Sequence, residues 1–83
     1  MTTLGSSRAA LAVVATRVRF ENDMMYVELQ DGREIGVPLE WFPTIRDASP
    51  EQRSNWRLIG RGVGIHWEDL DEDLSVEGLL RAG

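Results

Sequence analysis

Five acidic side chains lie within six consecutive positions near the C-terminal end of this 83-residue chain: Glu68, Asp69, Asp71, Glu72 and Asp73. Carboxylate oxygens can bind a hard cation such as calcium, but the spacing and the sharp-turn glycine of the EF-hand loop are absent. A carboxylate pair can also cleave glycosidic bonds in a deep cleft, for which so short a chain offers little room. We therefore interpret these acids as a solvated loop or a docking surface for a basic partner, and assign them no metal and no catalytic role.

The single histidine, His66, lies between Ile65 and Trp67 on a predicted strand, so its side chain points away from theirs. An imidazole oriented by a carboxylate can act as a general base, and a small hydrolase that uses His66 is one hypothesis. No Ser-x-Gly elbow or other obvious nucleophile accompanies it, which favours an ordinary structural histidine. With one histidine and no cysteine, the chain has no multi-histidine metal site of its own, no disulfide and no thiol nucleophile, and we predict no cofactor.

Arg53, Arg57 and Arg61 recur every four residues along a predicted helix and its exit, which would place them in one basic stripe. The run Gly60-Arg61-Gly62-Val63-Gly64 resembles a phosphate loop, but its third glycine is one position early and its order is helix then strand. We interpret these glycines as a helix stop followed by a strand that other backbone approaches closely. The stripe supports an alternative function, a dimeric regulatory or nucleic-acid-associated domain.

The net charge of −5 is confined to the C-terminal end of the chain. Residues 1–67 carry equal numbers of acids and arginines, whereas residues 68–83 carry six acids and one arginine. Direct binding of DNA or RNA depends on neutralising phosphates, for which a neutral body with an acidic end is poorly suited. The charge distribution suits a protein partner with a basic face better.

The elements that must position these residues begin with three predicted strands, at 13–20, 24–30 and 33–39. A two-residue Asp31-Gly32 turn would place apolar side chains opposite glutamates, because a one-residue slip moves every side chain to the other face. A three-residue loop pairs Val27 with Ile35 and Met25 with Val37 instead. That loop needs Gly32 in the left-handed region, so we predict a type I turn with a glycine bulge.

Further along the chain, we predict a short helix over 40–48 with Pro43 in its first turn. Ser49, Pro50 and Gln52 form a capping-box pattern, which predicts a second helix that runs to about Ile59 and stops at Gly60. A strand over 63–67, a loop over 69–73 and a last helix capped by Ser75 follow. The predicted fold is α+β, with a small antiparallel sheet in the order β-β-β-α-α-β-α and helices packed against it.

The chain is predicted to be one domain over residues 12–83, preceded by a flexible leader over residues 1–11. The apolar stretch 9–15 faintly resembles the core of a secretory signal, but a leader that runs into the first strand fits it better. No apolar run approaches the roughly 20 residues of a membrane span, and we expect a cytoplasmic protein. Trp41, Trp56 and Trp67 are expected mainly in the core, with part of one exposed at an interface.

A series of short motifs resembles a small bacterial family known as domain of unknown function 2442. The resemblance covers about residues 12–82, and its most specific blocks are Gly64-Ile65-His66-Trp67 and Leu70-Asp71-Glu72-Asp73-Leu74-Ser75-Val76, with Trp41-Phe42-Pro43 and Asp31-Gly32-Arg33 before them. Thr44 and Ile45 depart from the family's usual basic residue and leucine. The resemblance implies an α+β fold similar to the N-terminal domain of some small bacterial regulators. It also implies that stand-alone members are one half of a two-gene, antitoxin-like pair, and it supplies no catalytic residue.

From the residues and the resemblance together, we predict a non-enzymatic protein-interaction module, antitoxin-like, whose partner is a small basic protein encoded nearby. The predicted binding surface combines the acids with an aromatic anchor and consists of Trp67, Glu68, Asp69, Asp71, Glu72 and Asp73. The alternative is a homodimer that uses the basic stripe of Arg53, Arg57 and Arg61.

Overall fold

The computed structural model describes residues 13–82, which form two three-stranded antiparallel sheets in the orders β1-β2-β3 and β4-β5-β6. The first sheet contains β1 (Ala15–Glu21), β2 (Met24–Leu29) and β3 (Glu34–Pro38), and the second contains β4 (Trp56–Ile59), β5 (Gly64–Trp67) and β6 (Glu72–Ser75). The helices are α1 (Pro43–Arg46), α2 (Pro50–Ser54) and α3 (Val76–Ala82). Single 3₁₀ turns occupy Leu39–Trp41, Gly60–Gly62 and Glu68–Leu70. The predicted leader lies outside the described residues.

The hairpin between β2 and β3 has the predicted register, with Val27 opposite Ile35 and Met25 opposite Val37. The Gly32 N–H donates to the Leu29 carbonyl at 3.1 Å, and Gly32 adopts a φ of +96°. Glycine alone adopts this conformation at little cost, so the three-residue loop with a glycine bulge is confirmed.

The predicted first helix is divided into the 3₁₀ turn at Leu39–Trp41 and the short helix α1. Phe42 separates them with φ −132° and ψ 77°. Proline disfavours the helical conformation in the residue before it, so Pro43 begins α1 and also ends the preceding turn.

The second helix is shorter than predicted, because it ends at Ser54 and residues Trp56–Ile59 form strand β4. The capping box is confirmed: Ser49 Oγ accepts from the Gln52 N–H at 3.1 Å, and Gln52 Oε1 accepts from the Ser49 N–H at 3.0 Å. A good cap fixes where a helix begins but not where it ends. Backbone pairing of β4 with β5 outweighs the weak helical preference of residues 56–59.

The predicted loop over 69–73 is also partly wrong, because Glu72–Ser75 form strand β6, paired with β5. The alternation of half-buried Glu72 and Leu74 with exposed Asp73 and Ser75 has the period of two expected of a strand. The α+β class is therefore confirmed, but the order is β-β-β-α-α-β-β-β-α and the strands form two sheets rather than one.

One hydrophobic core unites the two sheets with helices α1 and α3. Fully buried side chains come from β2, β3, α1, β5 and α3, and the largest is Trp67, which is 0% exposed. The others of near-zero exposure are Met25, Leu39, Ile45, Ile65, Val27, Val37 and Val76. Helix α3 continues directly from β6, and its Val76 N–H donates to the Val63 carbonyl at 2.9 Å.

Gly62 lies where the turn before β5 passes the backbone of the first sheet. Its φ is +101°, and a Cβ atom there would be 2.6 Å from the Ala15 carbonyl oxygen and 3.0 Å from Val14 Cβ. The close backbone approach predicted for the glycine run is thus confirmed, whereas the helix stop is wrong because a strand precedes Gly60.

Gly62→Ala is expected to lower the free energy of unfolding by roughly 2 kcal/mol, through left-handed strain and contact with the Ala15 carbonyl. Gly32→Ala is the matched control, since Gly32 also has positive φ but nothing lies within 4 Å of its Cβ position. The control is expected to cost about 1 kcal/mol, from backbone strain alone. Urea denaturation measures both, and equal losses in the two variants would contradict the close approach at Gly62.

Candidate functional site

The acidic segment forms the connection between β5 and β6, and we name residues 68–73 the acidic hairpin. The last pair of the ladder joins Trp67 to Glu72, and the Asp71 N–H donates to the Glu68 carbonyl at 3.4 Å. Asp71 adopts the left-handed conformation with φ 51°, which aspartate tolerates better than most residues. Leu70 packs half-buried against the core. The carboxylates are therefore held on a short turn whose backbone is anchored at both ends.

His66 lies at the centre of a row of polar side chains across the second sheet. Its ladder partners are Arg57 on β4 and Asp73 on β6. His66 Nδ1 bonds Asp73 Oδ1, while His66 Nε2 lies 3.2 Å from Glu68 Oε1. Arg57 Nη2 is 3.3 Å from the same Glu68 oxygen. Both ring nitrogens thus face a carboxylate, and the His66 side chain is only 15% exposed.

The surroundings of His66 favour its charged form. The hydrogen bond with Asp73 raises the pKa of His66 above its ordinary value of 6.5, and the charges of Asp73 and Glu68 raise it further. Partial desolvation and the positive charge of Arg57 act in the opposite direction. An imidazolium hydrogen-bonds Asp73 and attracts Glu68 by charge, so this site holds the start and the end of the acidic hairpin together.

The remaining acids of the hairpin are less constrained. Asp69 Oδ2 accepts a hydrogen bond from Asn55 Nδ2 at 3.1 Å, and Asp71 and Glu72 take part in no ion pair within residues 13–82. Beside Asp69 the surface forms an open depression, lined by Pro50, Glu51, Ser54, Asn55 and Asp69. The depression offers carboxylate, hydroxyl and amide oxygens to a ligand from outside.

The outer face of the first sheet shows the contrasting arrangement, in which opposite charges neutralise one another. Arg19 lies 3.0 Å from Glu21 and 3.1 Å from Glu34, and its guanidinium carbon is 4.4 Å from the centre of the Tyr26 ring. Arg17 pairs with Glu28 at 3.4 Å. These internal partners make this face a weaker candidate for a charged ligand than the acidic hairpin.

Trp67 was predicted to lie on the binding surface beside the acids, and this prediction is wrong. Its side chain is 0% exposed, and its Nε1–H donates to the Arg53 carbonyl at 2.9 Å. Adjacent residues on a strand face opposite sides, so Trp67 points into the core while His66 faces outward. The exposed tryptophan is Trp41, at 48%, in agreement with the expectation that part of one tryptophan would be exposed.

The prediction that Arg53, Arg57 and Arg61 form one basic stripe is also wrong. Arg53 lies on α2, Arg57 on β4, and Arg61 in a 3₁₀ turn with φ 60°, so they do not recur along one helix. Arg53 is half-buried and donates to the carbonyls of Ile45, at 3.1 Å, and Arg46, at 2.6 Å. Its guanidinium therefore caps the C-terminal end of α1 instead of facing a ligand.

Sequence reasoning did not find Glu51, Asn55 or the row that includes Arg57. Asn55 and Asp69 are fourteen positions apart, and nothing in their local sequence indicates contact. The Arg57–His66–Asp73 row follows directly from strand pairing, and recognising β4 and β6 as strands would have revealed it.

Within the described part of the chain, no group of three histidine, cysteine or acidic side chains is arranged to hold a metal ion. No helix among residues 13–82 is long and apolar enough to cross a membrane.

Comparison with known proteins places these features in a family. A family model described as "Protein of unknown function (DUF2442)" matches residues 15–83. The fold is similar to the crystal structure of a protein of unknown function from Rhodospirillum rubrum, with 30% identity, a TM-score of 0.74, and coverage of 87% of this chain and 89% of that chain. It is also similar to the solution NMR structure of an uncharacterised protein from Chromobacterium violaceum, with 23% identity, a TM-score of 0.71, and coverage of 96% and 73%. No curated protein matches the chain.

Proposed function

This chain belongs to the DUF2442 family of proteins of unknown function, and from this premise we propose that it is a non-enzymatic, antitoxin-like interaction module. Its acidic hairpin binds a small basic protein, encoded nearby, and the pair acts in the cytoplasm. Asp69, Asp71 and Glu72 make the contact, while Glu68 and Asp73 hold the hairpin in shape through His66.

The observation that carries this proposal is that the exposed carboxylates of Asp69 and Asp71, followed by half-buried Glu72 at the start of β6, lie on a turn whose backbone is already fixed. Asp69, Asp71 and Glu72 fall within four consecutive positions, and within residues 13–82 no cation pairs with them. Like charges held together repel one another, and a basic partner relieves that repulsion. Because the turn is anchored by the β5–β6 ladder and by Leu70, little loop ordering is needed on binding.

The depression beside Asp69 supports a partner that carries arginine or lysine. Glu51 and Asp69 provide carboxylates at its edge, and Ser54 and Asn55 provide further oxygens. A guanidinium group can bond two such oxygens at once, which adds geometric selectivity to charge attraction. The negative field of the hairpin would also steer the encounter and raise the association rate.

The His66 site supports a role other than catalysis. A general base needs a ring nitrogen that faces a substrate or a nucleophile. Here Asp73 occupies one nitrogen and Glu68 the other. We therefore propose that His66 shapes the hairpin and takes no part in a hydrolytic reaction.

Co-expression of the chain with the basic protein encoded beside it, followed by size-exclusion chromatography, tests the proposal. The wild-type chain is expected to co-elute with that protein. A variant with Asp69→Asn, Asp71→Asn and Glu72→Gln is expected to bind at least about tenfold more weakly and to elute alone. These substitutions spare both carboxylates that hold His66, and asparagine tolerates the left-handed backbone at position 71.

The matched control carries Glu21→Gln, Glu40→Gln and Glu77→Gln, which change the net charge by the same amount but lie outside the acidic hairpin. It is expected to co-elute like the wild type. Equal loss of binding in both variants would show that overall charge, and not the hairpin, is responsible. Retention of full binding by the hairpin variant would overturn the proposal.

A further inference from the structure

Within residues 13–82, the charged groups that surround His66 come from the two neighbouring strands and the turn of the second sheet. Arg57 approaches from β4, Asp73 from β6, and Glu68 from the turn between β5 and β6. Strand pairing fixes the backbone of Asp73 directly opposite His66, whereas Glu68 belongs to the turn; the two side chains are equally exposed, at 69% and 68%. The two carboxylates therefore differ in how they are held: Asp73 is a ladder partner of His66 and hydrogen-bonds its ring, whereas Glu68 is held by charge attraction.

We propose that His66 is a pH-sensitive latch: as an imidazolium it bridges Asp73 and Glu68, and on losing its proton it releases Glu68 and makes the acidic hairpin more negative. This inference rests on the proposed function, because it regulates the same binding surface. The predicted consequence is that a basic partner binds more tightly as pH rises.

The number of protons on the ring explains the release. An imidazolium has two N–H donors, one for each carboxylate. When one proton leaves to solvent, the neutral ring keeps a single N–H, and the other nitrogen presents a lone pair. Asp73 is fixed opposite the ring and retains the Nδ1–H, so the Nε2 lone pair then faces Glu68 Oε1 at 3.2 Å. Two acceptors repel, and Glu68 moves away toward Arg57, which it already contacts.

The charge of the row changes at the same step. With the imidazolium present, Arg57 and His66 balance Glu68 and Asp73, and with the neutral ring one negative charge is in excess. Because the pKa of His66 is raised in the folded chain, the stabilisation from the closed latch is complete below 6.5 and is lost as pH rises through the folded value. The latch therefore opens as pH rises above 6.5, through the raised pKa of His66.

An NMR titration of the isotopically labelled chain tests the latch without any partner. His66 is the only histidine, so its ring signals are unambiguous. We expect the backbone amides of residues 68–71 to shift with the same midpoint as the ring, and the ring above that midpoint to carry its proton on Nδ1. In Glu68→Gln the ring midpoint is expected to fall, because one carboxylate that favours the charged form is gone.

The control is His66→Gln, in which the amides of residues 68–71 are expected to show no inflection near neutral pH. Amides that do not respond at the His66 midpoint in the wild type, or a neutral ring protonated on Nε2, would overturn the latch. Because this experiment needs no partner, its failure leaves the docking proposal standing.

A synthetic oligoarginine peptide serves as the probe for the regulatory consequence. Its affinity for the wild-type chain is expected to rise about twofold to fivefold between a pH below the ring midpoint found by NMR and a pH above it, which corresponds to one exposed charge. His66→Gln is expected to show no such rise. An equal rise in both chains would contradict regulation by His66. A peptide that binds away from the hairpin would count against the docking proposal while leaving the NMR result intact.

Discussion

Replacing Trp67 with alanine is expected to lower the free energy of unfolding by about 3–5 kcal/mol. The substitution removes the largest fully buried side chain and leaves the Arg53 carbonyl without the indole N–H that it accepts at 2.9 Å. Such a loss approaches the whole stability of a small domain, so much of the variant would be unfolded at room temperature. Urea denaturation followed by circular dichroism measures the loss, and Trp67→Phe gives a smaller, measurable loss if the alanine variant does not fold.

Trp41→Ala is the matched control, because Trp41 is 48% exposed. Its free energy of unfolding is expected to stay within about 0.5 kcal/mol of the wild-type value. Comparable losses at Trp41 and Trp67 would contradict the burial that separates them. If Trp67→Ala proved fully stable but did not bind the partner, Trp67 would be a surface binding residue, which contradicts its burial.

Replacing Arg53 with methionine is expected to cost about 2 kcal/mol. The guanidinium donates to two carbonyls at the end of α1, those of Ile45 and Arg46, and methionine can donate to neither. Methionine preserves much of the aliphatic length, so the loss reports on these hydrogen bonds more than on packing. The free energy of unfolding in urea is the quantity to compare.

Arg57→Met provides the contrast for Arg53→Met. Arg57 is 62% exposed and pairs with Glu68, an exposed ion pair worth at most about 1 kcal/mol. If the two arginines served one basic surface, both variants would fold normally and both would lose binding of a nucleic acid. An Arg53→Met variant as stable as the wild type would contradict the capping role assigned to that side chain.

Local turn chemistry made part of the fold predictable. Gly32 can adopt positive φ cheaply, and the demand that apolar side chains share one face left one register for the first hairpin. Ser49 and Gln52 marked the start of α2 because their hydrogen bonds are local. These features depend on residues within a few positions of one another.

The second sheet was not predictable in the same way, because its pairing is non-local. Residues 56–59 continue a well-capped helix in sequence, and only the ladder with β5 makes them a strand. In β6 the acidic run conceals the alternation of Glu72 and Leu74 with Asp73 and Ser75. A strand over residues 63–67 already implies that Trp67 and His66 face opposite sides. The prediction that Trp67 lies on the binding surface was therefore inconsistent with the predicted strand.

The two sheets together explain how the candidate site acquires its shape. β5 places Trp67 in the core and His66 on the outer face. The acidic hairpin is therefore anchored on its inner side by packing, and on its outer side by the contacts of Asp73 and Glu68 with His66. Of the carboxylates left for a partner, Asp69 and Asp71 are exposed on the turn, and Glu72 follows, half-buried, as the first residue of β6.

An NMR titration of the ¹⁵N-labelled chain with the proposed basic partner tests the docking surface most directly. The shifted amides are expected to concentrate at Asp69, Asp71 and Glu72, with further shifts at Glu51 and Asn55 in the adjoining depression. The variant with Asp69→Asn, Asp71→Asn and Glu72→Gln should lose these shifts. Shifts centred instead on Arg57 and Arg61, or on the outer face of the first sheet, would show that the partner does not dock on the acidic hairpin.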